Sequence, residues 1–182
     1  MKYTATEFEG LNIIQPKLWK DERGYFYETY NERAWAKACG NTNFVQDNQA
    51  KSSRGVIRGL HYQKGTKAQA KLVRVIHGEV LDVVLDLRKN QKTYGKWFAM
   101  RLSAENHTQL FIPRGFAHGY LTLSQTAIFT YKCDNFYSKE AEGGIRFNDP
   151  GLAIDWGINI SQAIVSEKDL NLPEFGKHDP IL

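Results

Sequence analysis

Between Gln46 and Gln63 the chain reads Gln46-Asp47-Asn48-Gln49-Ala50-Lys51-Ser52-Ser53-Arg54-Gly55-Val56-Ile57-Arg58-Gly59-Leu60-His61-Tyr62-Gln63. Amides, a guanidinium and an imidazole crowd into what otherwise reads as a strand approach, a turn at residues 52–55 and a buried strand. Polar heads at that density are costly to bury unless they have a task. The His61 imidazole, with an ordinary pKa near 6.5, is neutral and basic at working pH and suits proton transfer. The planar Arg58 guanidinium suits bidentate binding of an oxyanion. In a regular strand His61 alternates with Ile57 and Gly59, which points it inward if that face lines the interior. Taken alone, a histidine there is more often a satisfied core residue than a base.

Two further side chains have the chemistry to join it. Lys71 opens an apolar strand with Val73 and Val75 on its own face, and Tyr131 shares a strand face with Ala127, Phe129 and Cys133. A lysine at a strand end is ordinarily solvated, and a buried tyrosine ordinarily packs with one hydrogen bond. Position alone marks neither as catalytic.

Strands must hold these groups. Residues 78–88 alternate, with Leu81, Val83, Leu85 and Leu87 on one face and Asp82, Asp86 and Arg88 on the other. Residues 97–102, 108–112, 116–123 and 127–133 follow as strands, separated by turn-like segments. Short strands at this spacing predict a sandwich or barrel rather than βαβ units. One helix is predicted after the N-cap Asn31, with Glu32 in its first turn, Ala34, Trp35 and Ala38 on its apolar side and Gly40 at its end. A second short helix is predicted from Ser166 through Asp169 to a break near Pro173.

The 182 residues fit one domain, 1–182, without a linker or an internal repeat. No apolar run is long enough for a membrane helix, and the first residues lack a signal-peptide pattern. Cys39 and Cys133 lie in unrelated segments, so a reduced cytoplasmic protein is expected. The 24 basic and 20 acidic residues are well mixed, which argues against a nucleic-acid surface and suits an anionic small ligand.

The wording of residues 46–63 resembles the central motif of the dTDP-4-dehydrorhamnose 3,5-epimerases, enzymes of deoxysugar nucleotide metabolism with a cupin jelly-roll fold. The likeness recurs in order at Asp21-Glu22-Arg23-Gly24-Tyr25-Phe26-Tyr27-Glu28, Lys71-Leu72-Val73-Arg74-Val75, Gly78-Glu79-Val80 with Asp86-Leu87-Arg88, Pro113-Arg114-Gly115-Phe116-Ala117-His118-Gly119 and Tyr131-Lys132-Cys133. It spans roughly residues 8 to 170.

The resemblance implies an all-β jelly roll with one or two short peripheral helices, and a cofactor-independent epimerase acting on dTDP-4-dehydro-6-deoxy-D-glucose. It makes His61 the base, Asp169 its orienting carboxylate, Lys71 the enolate partner and Tyr131 the acid on the opposite face of the sugar. His118 becomes a further substrate contact. Arg23 and Arg58 match diphosphate ligands, and Tyr137 matches an aromatic that stacks on thymine. Glu28, Gln46, Asn48, Glu142 and Lys168 match other substrate-contacting positions. The resemblance also implies a homodimer with exchanged N-terminal strands, in which residues near Arg23 to Glu28 complete the partner's site.

No metal is expected. The usual cupin ligand set needs a His-x-His pair, and the motif here reads His61-Tyr62-Gln63. No nicotinamide is expected either, because no G-x-G-x-x-G follows a strand. An epimerase inverting only C3 or C5, and a non-catalytic nucleotide-sugar-binding cupin, are the alternatives. Arg58 and His61, three apart, would face opposite ways in a regular strand. A shared pocket therefore requires a bulge or kink near Gly59.

Overall fold

The structure, a computed structural model, describes residues 1–181. Two short strands, β1 (Lys2–Ala5) and β2 (Asn12–Gln15), precede the hairpin β3 (Trp19–Asp21) and β4 (Gly24–Phe26). Helix α1 (Glu32–Cys39) follows, then β5 (Gln46–Ser53), β6 (Ile57–Gln63), β7 (Lys71–His77) and β8 (Glu79–Asp86). The remaining elements are β9 (Trp97–Ser103), β10 (Gln109–Ile112), β11 (Phe116–Thr122), β12 (Thr126–Cys133), β13 (Glu142–Gly144) and α2 (Glu167–Leu170). The main strands form two sheets, ordered β1-β2-β10-β7-β12-β5 and β13-β6-β11-β8-β9, with β3-β4 as a separate ribbon. This is the all-β jelly roll expected from the sequence.

Alternation explains how the layers close. Val73, Val75 and Phe129 from the larger sheet meet Val80, Val84 and Phe116 from the smaller one in the space between them. The opposite face of the smaller sheet (Ile57, Leu60, Val83, Leu85 and Leu121) is covered by Ile145, Phe147, Trp156 and Ile181 from the C-terminal stretch. Helix α1 lays Trp35 on the outer face of the larger sheet, against Leu72 and Phe111. The Asn31 side chain accepts from the Ala34 backbone N–H at 3.1 Å, and Gly40 ends the helix at φ +79°. Both features match the sequence reading.

In β8 Leu81, Val83 and Leu85, with Leu87 just beyond the strand, face the C-terminal cover, and the interior face carries Asp82 between Val80 and Val84, with Asp86 after them. Both faces are buried.

The strand β6 departs from regular alternation. Gly59 has φ +118°, and the pairing of β6 with β11 shifts register between His61↔His118 and Arg58↔Tyr120. Ile57 therefore packs outward into the cover, while Arg58 and His61 both line the interior cleft. The simple face shared by Ile57, Gly59 and His61 is thus corrected. The expected kink at Gly59 is present.

Candidate active site

The cleft opens between the two sheets. Its larger part, about 560 Å³, is lined by Arg58, His61, Lys71, His118, Tyr131 and Asp169 among others. An adjoining part is lined by Gln46, Asn48, Tyr137, Glu142 and Cys133, and shares His61, Lys71, Tyr131 and Lys168 with the first. His61 belongs to β6 in one sheet, and Lys71 and Tyr131 belong to β7 and β12 in the other. The imidazole thus sits on one wall, with the ammonium and phenol on the facing wall.

His61 Nε2 lies 2.6 Å from Asp169 Oδ1, and Asp169 Oδ2 accepts the Gly59 backbone N–H at 3.1 Å. The carboxylate side chain is 5% exposed and the imidazole 38%, so the orienting group is enclosed while the ring remains reachable. Helix α2 places Asp169, and its cap is the Ser166 hydroxyl accepting from the Asp169 N–H at 3.1 Å. Burial pushes the Asp169 carboxyl up. The hydrogen bond and charge of His61, the Gly59 amide and Lys168 outweigh it and leave the group below the ordinary carboxylate range.

Desolvation inside the barrel pushes the Lys71 ammonium toward lower pKa, with Cys133 and Asp82 acting in the opposite sense. Its Nζ lies 5.9 Å from the centre of the Tyr131 ring. Burial raises the Tyr131 phenol, with Cys133 and Tyr120 adding to the rise and Arg58 opposing it. The phenol is thus held protonated at neutral pH, as an acid requires.

Arg58 donates through Nε to Ser52 Oγ at 3.0 Å, and Ser52 Oγ also bonds Tyr120 Oη at 3.2 Å. Gln46 donates to Asn48 Oδ1 at 3.0 Å and accepts the Tyr137 N–H at 3.0 Å, which ties β5 to the exposed Tyr137 ring. Lys168 pairs with Glu142 at 2.6 Å beside the same opening. His118 Nε2 lies 2.8 Å from Asp82 Oδ2 at the cleft floor.

Eleven of the thirteen residues proposed from sequence are therefore drawn together around this cleft. Arg23 and Glu28 are not. Arg23 sits exposed in the β3–β4 turn, paired with Asp21 at 2.6 Å, and Glu28 accepts from Asn31 at 3.1 Å. Sequence reasoning missed Ser52, Tyr120, Gln63 and the contact of Asp82 with His118. Tyr120 had a signal, since it shares the His118 face of β11. Gln63, buried, holds the Ser138 backbone through both amide atoms at 2.8 and 3.0 Å and shapes the loop before Glu142.

Fold and cleft define the class as a cupin-type β-sandwich with its ionisable groups held between the sheets. Comparison with known proteins narrows it. The sequence model of dTDP-4-dehydrorhamnose 3,5-epimerase matches residues 5–177, and the chain belongs to that family. A relative of that name from Methanothermobacter thermautotrophicus is 50% identical over 171 residues, covering 93% of this chain and 92% of its own. The crystal structure of dTDP-4-dehydrorhamnose 3,5-epimerase from Elizabethkingia anophelis superposes with a TM-score of 0.93 at 55% identity, covering 97% of each chain. A Legionella pneumophila dTDP-6-deoxy-D-glucose-3,5-epimerase, solved in complex with dTDP-4-keto-L-rhamnose, superposes with a TM-score of 0.92 at 44% identity. That match covers 97% of this chain and 93% of the other.

Proposed function

We propose that this protein inverts C3 and C5 of dTDP-4-dehydro-6-deoxy-D-glucose without a cofactor, giving dTDP-4-dehydro-L-rhamnose. The supporting observation is the 2.6 Å His61–Asp169 pair on one wall of a cleft whose other wall carries Lys71 and Tyr131. C3 and C5 both flank the C4 ketone, so loss of either proton gives an enolate. With Nε2 held by Asp169, His61 offers Nδ1 to the substrate as base. The Lys71 ammonium takes up the charge developing on the C4 oxygen. Tyr131, on the opposite wall, returns a proton to the other face of the ring, and that second face makes the reaction an inversion.

Arg58 suits the diphosphate, because Ser52 anchors its Nε and the Lys51 carbonyl steadies one terminal nitrogen at 3.5 Å, which holds the guanidinium at the cleft. The exposed Tyr137 ring suits stacking on the base, and Gln46, Asn48, Glu142 and Lys168 line the approach. Arg23 and Glu28 are assigned to the cleft of a second copy. The arm that carries them leaves Trp19, Tyr25 and Phe26 exposed, an apolar surface suited to an exchanged-strand homodimer. The free thiols of Cys39 and Cys133 suit a reducing cytoplasm.

Incubation with the ketosugar nucleotide in D₂O tests the reading. Deuterium and inverted configuration are expected at both C3 and C5. Exchange at one carbon only makes the protein a mono-epimerase, and exchange at neither makes it a binding protein.

A further inference from the structure

Asp82 is the buried charge that the proposed chemistry leaves unexplained. It sits on the interior face of β8 between Val80 and Val84, with no surface exposed. Its Oδ2 meets His118 Nε2 at 2.8 Å, and its Oδ1 has no hydrogen-bond partner among the described residues. A carboxylate in an apolar interior is strongly unfavourable unless its charge is used.

The groups that face it indicate the use. His118 lines the cleft from β11, directly across from His61 in the β6–β11 pairing. Its Nδ1 has no hydrogen bond to the described residues, whereas its Nε2 is committed to Asp82. Lys71 faces the same interior from β7. Burial works against its charge, and the two groups acting the other way are Cys133 and Asp82. Burial pushes the Cys133 thiol up to about 11, so it is uncharged near neutral pH. Asp82 is then the carboxylate that shares this interior with the ammonium. Tyr120 lies opposite Asp82 in the β8–β11 register, and Tyr131 borders the same interior from β12, its phenol raised by burial.

We propose that Asp82 is a positioning residue of the cleft: it holds His118 by Nε2 so that Nδ1 faces the bound sugar, and it sets a carboxylate in the interior that Lys71 enters from the facing sheet. The inference rests on the proposed epimerase reading and deepens it. The site then contains two imidazole–carboxylate pairs side by side. His61–Asp169 presents an exposed ring suited to moving protons, whereas in His118–Asp82 the carboxylate is sealed and the ring meets the cleft by one edge.

Asp82→Asn keeps shape and removes the charge. The expected result is a folded protein that binds dTDP as the parent does and turns over roughly 10²-fold more slowly, the usual cost of weakening one oxyanion donor. Solvent exchange at C3 and C5 should fall together with inversion. In protein whose lysines carry ¹³C-methyl labels, the Lys71 resonance should titrate at lower pH in the variant than in the parent. Parental turnover, or an unmoved Lys71 titration in a folded variant, overturns the proposal. Should the variant fail to fold, ¹⁵N spectra of the parent decide: His118 is expected with its proton on Nε2, and a proton found on Nδ1 alone overturns the proposal. The titration and tautomer readouts need no turnover, so they remain informative even if the parent proves not to be an epimerase.

Discussion

The backbones of Gly59 and Gly119 pass so closely that a Cβ on Gly59 would lie 2.6 Å from the Gly119 Cα. The reverse holds too, since a Cβ on Gly119 would lie 2.6 Å from the Arg58 carbonyl oxygen. This contact between β6 and β11 is what turns Arg58 and His61 into the same cleft, and the Gly59 amide also anchors Asp169.

Gly59→Ala should therefore cost both fold and function. The residue would meet backbone rather than a yielding side chain, at a φ of +118° that other residues rarely adopt. A loss of at least about 1–3 kcal/mol is expected from the strain alone. Thermal unfolding and turnover, measured together, check it. A variant with the parent's midpoint and rate would show that the strand tolerates a regular path.

Much of this was legible in the sequence where pattern and composition agree. Strand β8 announced itself by apolar alternation, β11 and β12 by the polar turn between them, and α1 by its Asn31 cap and Gly40 stop. The kink at Gly59 was legible as a conflict, because Arg58 and His61 could share a pocket only if alternation failed between them. Strand β5 was harder to delimit, since Gln46–Ser53 is polar except for Ala50 and pairs along β12 by backbone rather than by an apolar face. Asp82 read only as a member of the polar face, with Asp86 and Arg88, of an alternating strand. The chain buries both faces of β8 once the C-terminal residues close over the other, and no local pattern carries that information. Nor could local sequence bring Asp169 to His61, a contact spanning 108 residues.

His61→Asn should be the most damaging single change that leaves the fold intact. A positioned base contributes about 10² to 10⁴ in rate. The ring lines the cleft, is 38% exposed, and is not among the side chains of the three apolar clusters. Circular dichroism with a turnover assay checks the expectation, and a folded variant of near-normal rate removes His61 from the base role.

Asp169→Asn should lower turnover by about 10² or more with dTDP binding preserved. An amide can donate to Nε2 where the carboxylate only accepts, so it allows the tautomer that blocks Nδ1. The substitution should also flatten acid unfolding. The folded-state pKa of Asp169 is depressed, so its ionisation stabilises the fold above its ordinary value of 3.8. That contribution fades as pH falls through the lower folded value. Unfolding curves of parent and variant should converge below that window and separate above it, whereas a constant offset at every pH would dissociate Asp169 from this linkage.

The exchanged arm gives a complementation test. Arg23→Ala and His61→Asn should each be weakly active as homodimers. If Arg23 serves the partner's cleft, a mixed dimer contains one site with both residues intact, and co-refolding the two variants restores activity. If Arg23 serves its own cleft, every site in the mixture lacks one residue and nothing is restored. Light scattering should return a dimer for parent and variants alike.

Tyr131→Phe should separate two observables that normally travel together. Exchange of the C3 or C5 hydrogen with solvent needs the His61 base and the Lys71 clamp, both of which the variant keeps. Inversion needs an acid on the other wall, and Phe has none to give. Net inversion should therefore fall by roughly 10² or more while exchange persists. A packing defect is a poor rival explanation, since Phe preserves the ring volume. The ring packs against Phe129 at 6.1 Å, and Lys71 lies 5.9 Å from its centre, contacts that do not depend on the hydroxyl. An NMR time course in D₂O follows deuterium incorporation and product configuration in one sample. If exchange and inversion decline in parallel, Tyr131 acts in the first step rather than the second, and the acid has to be sought on another side chain of the facing wall.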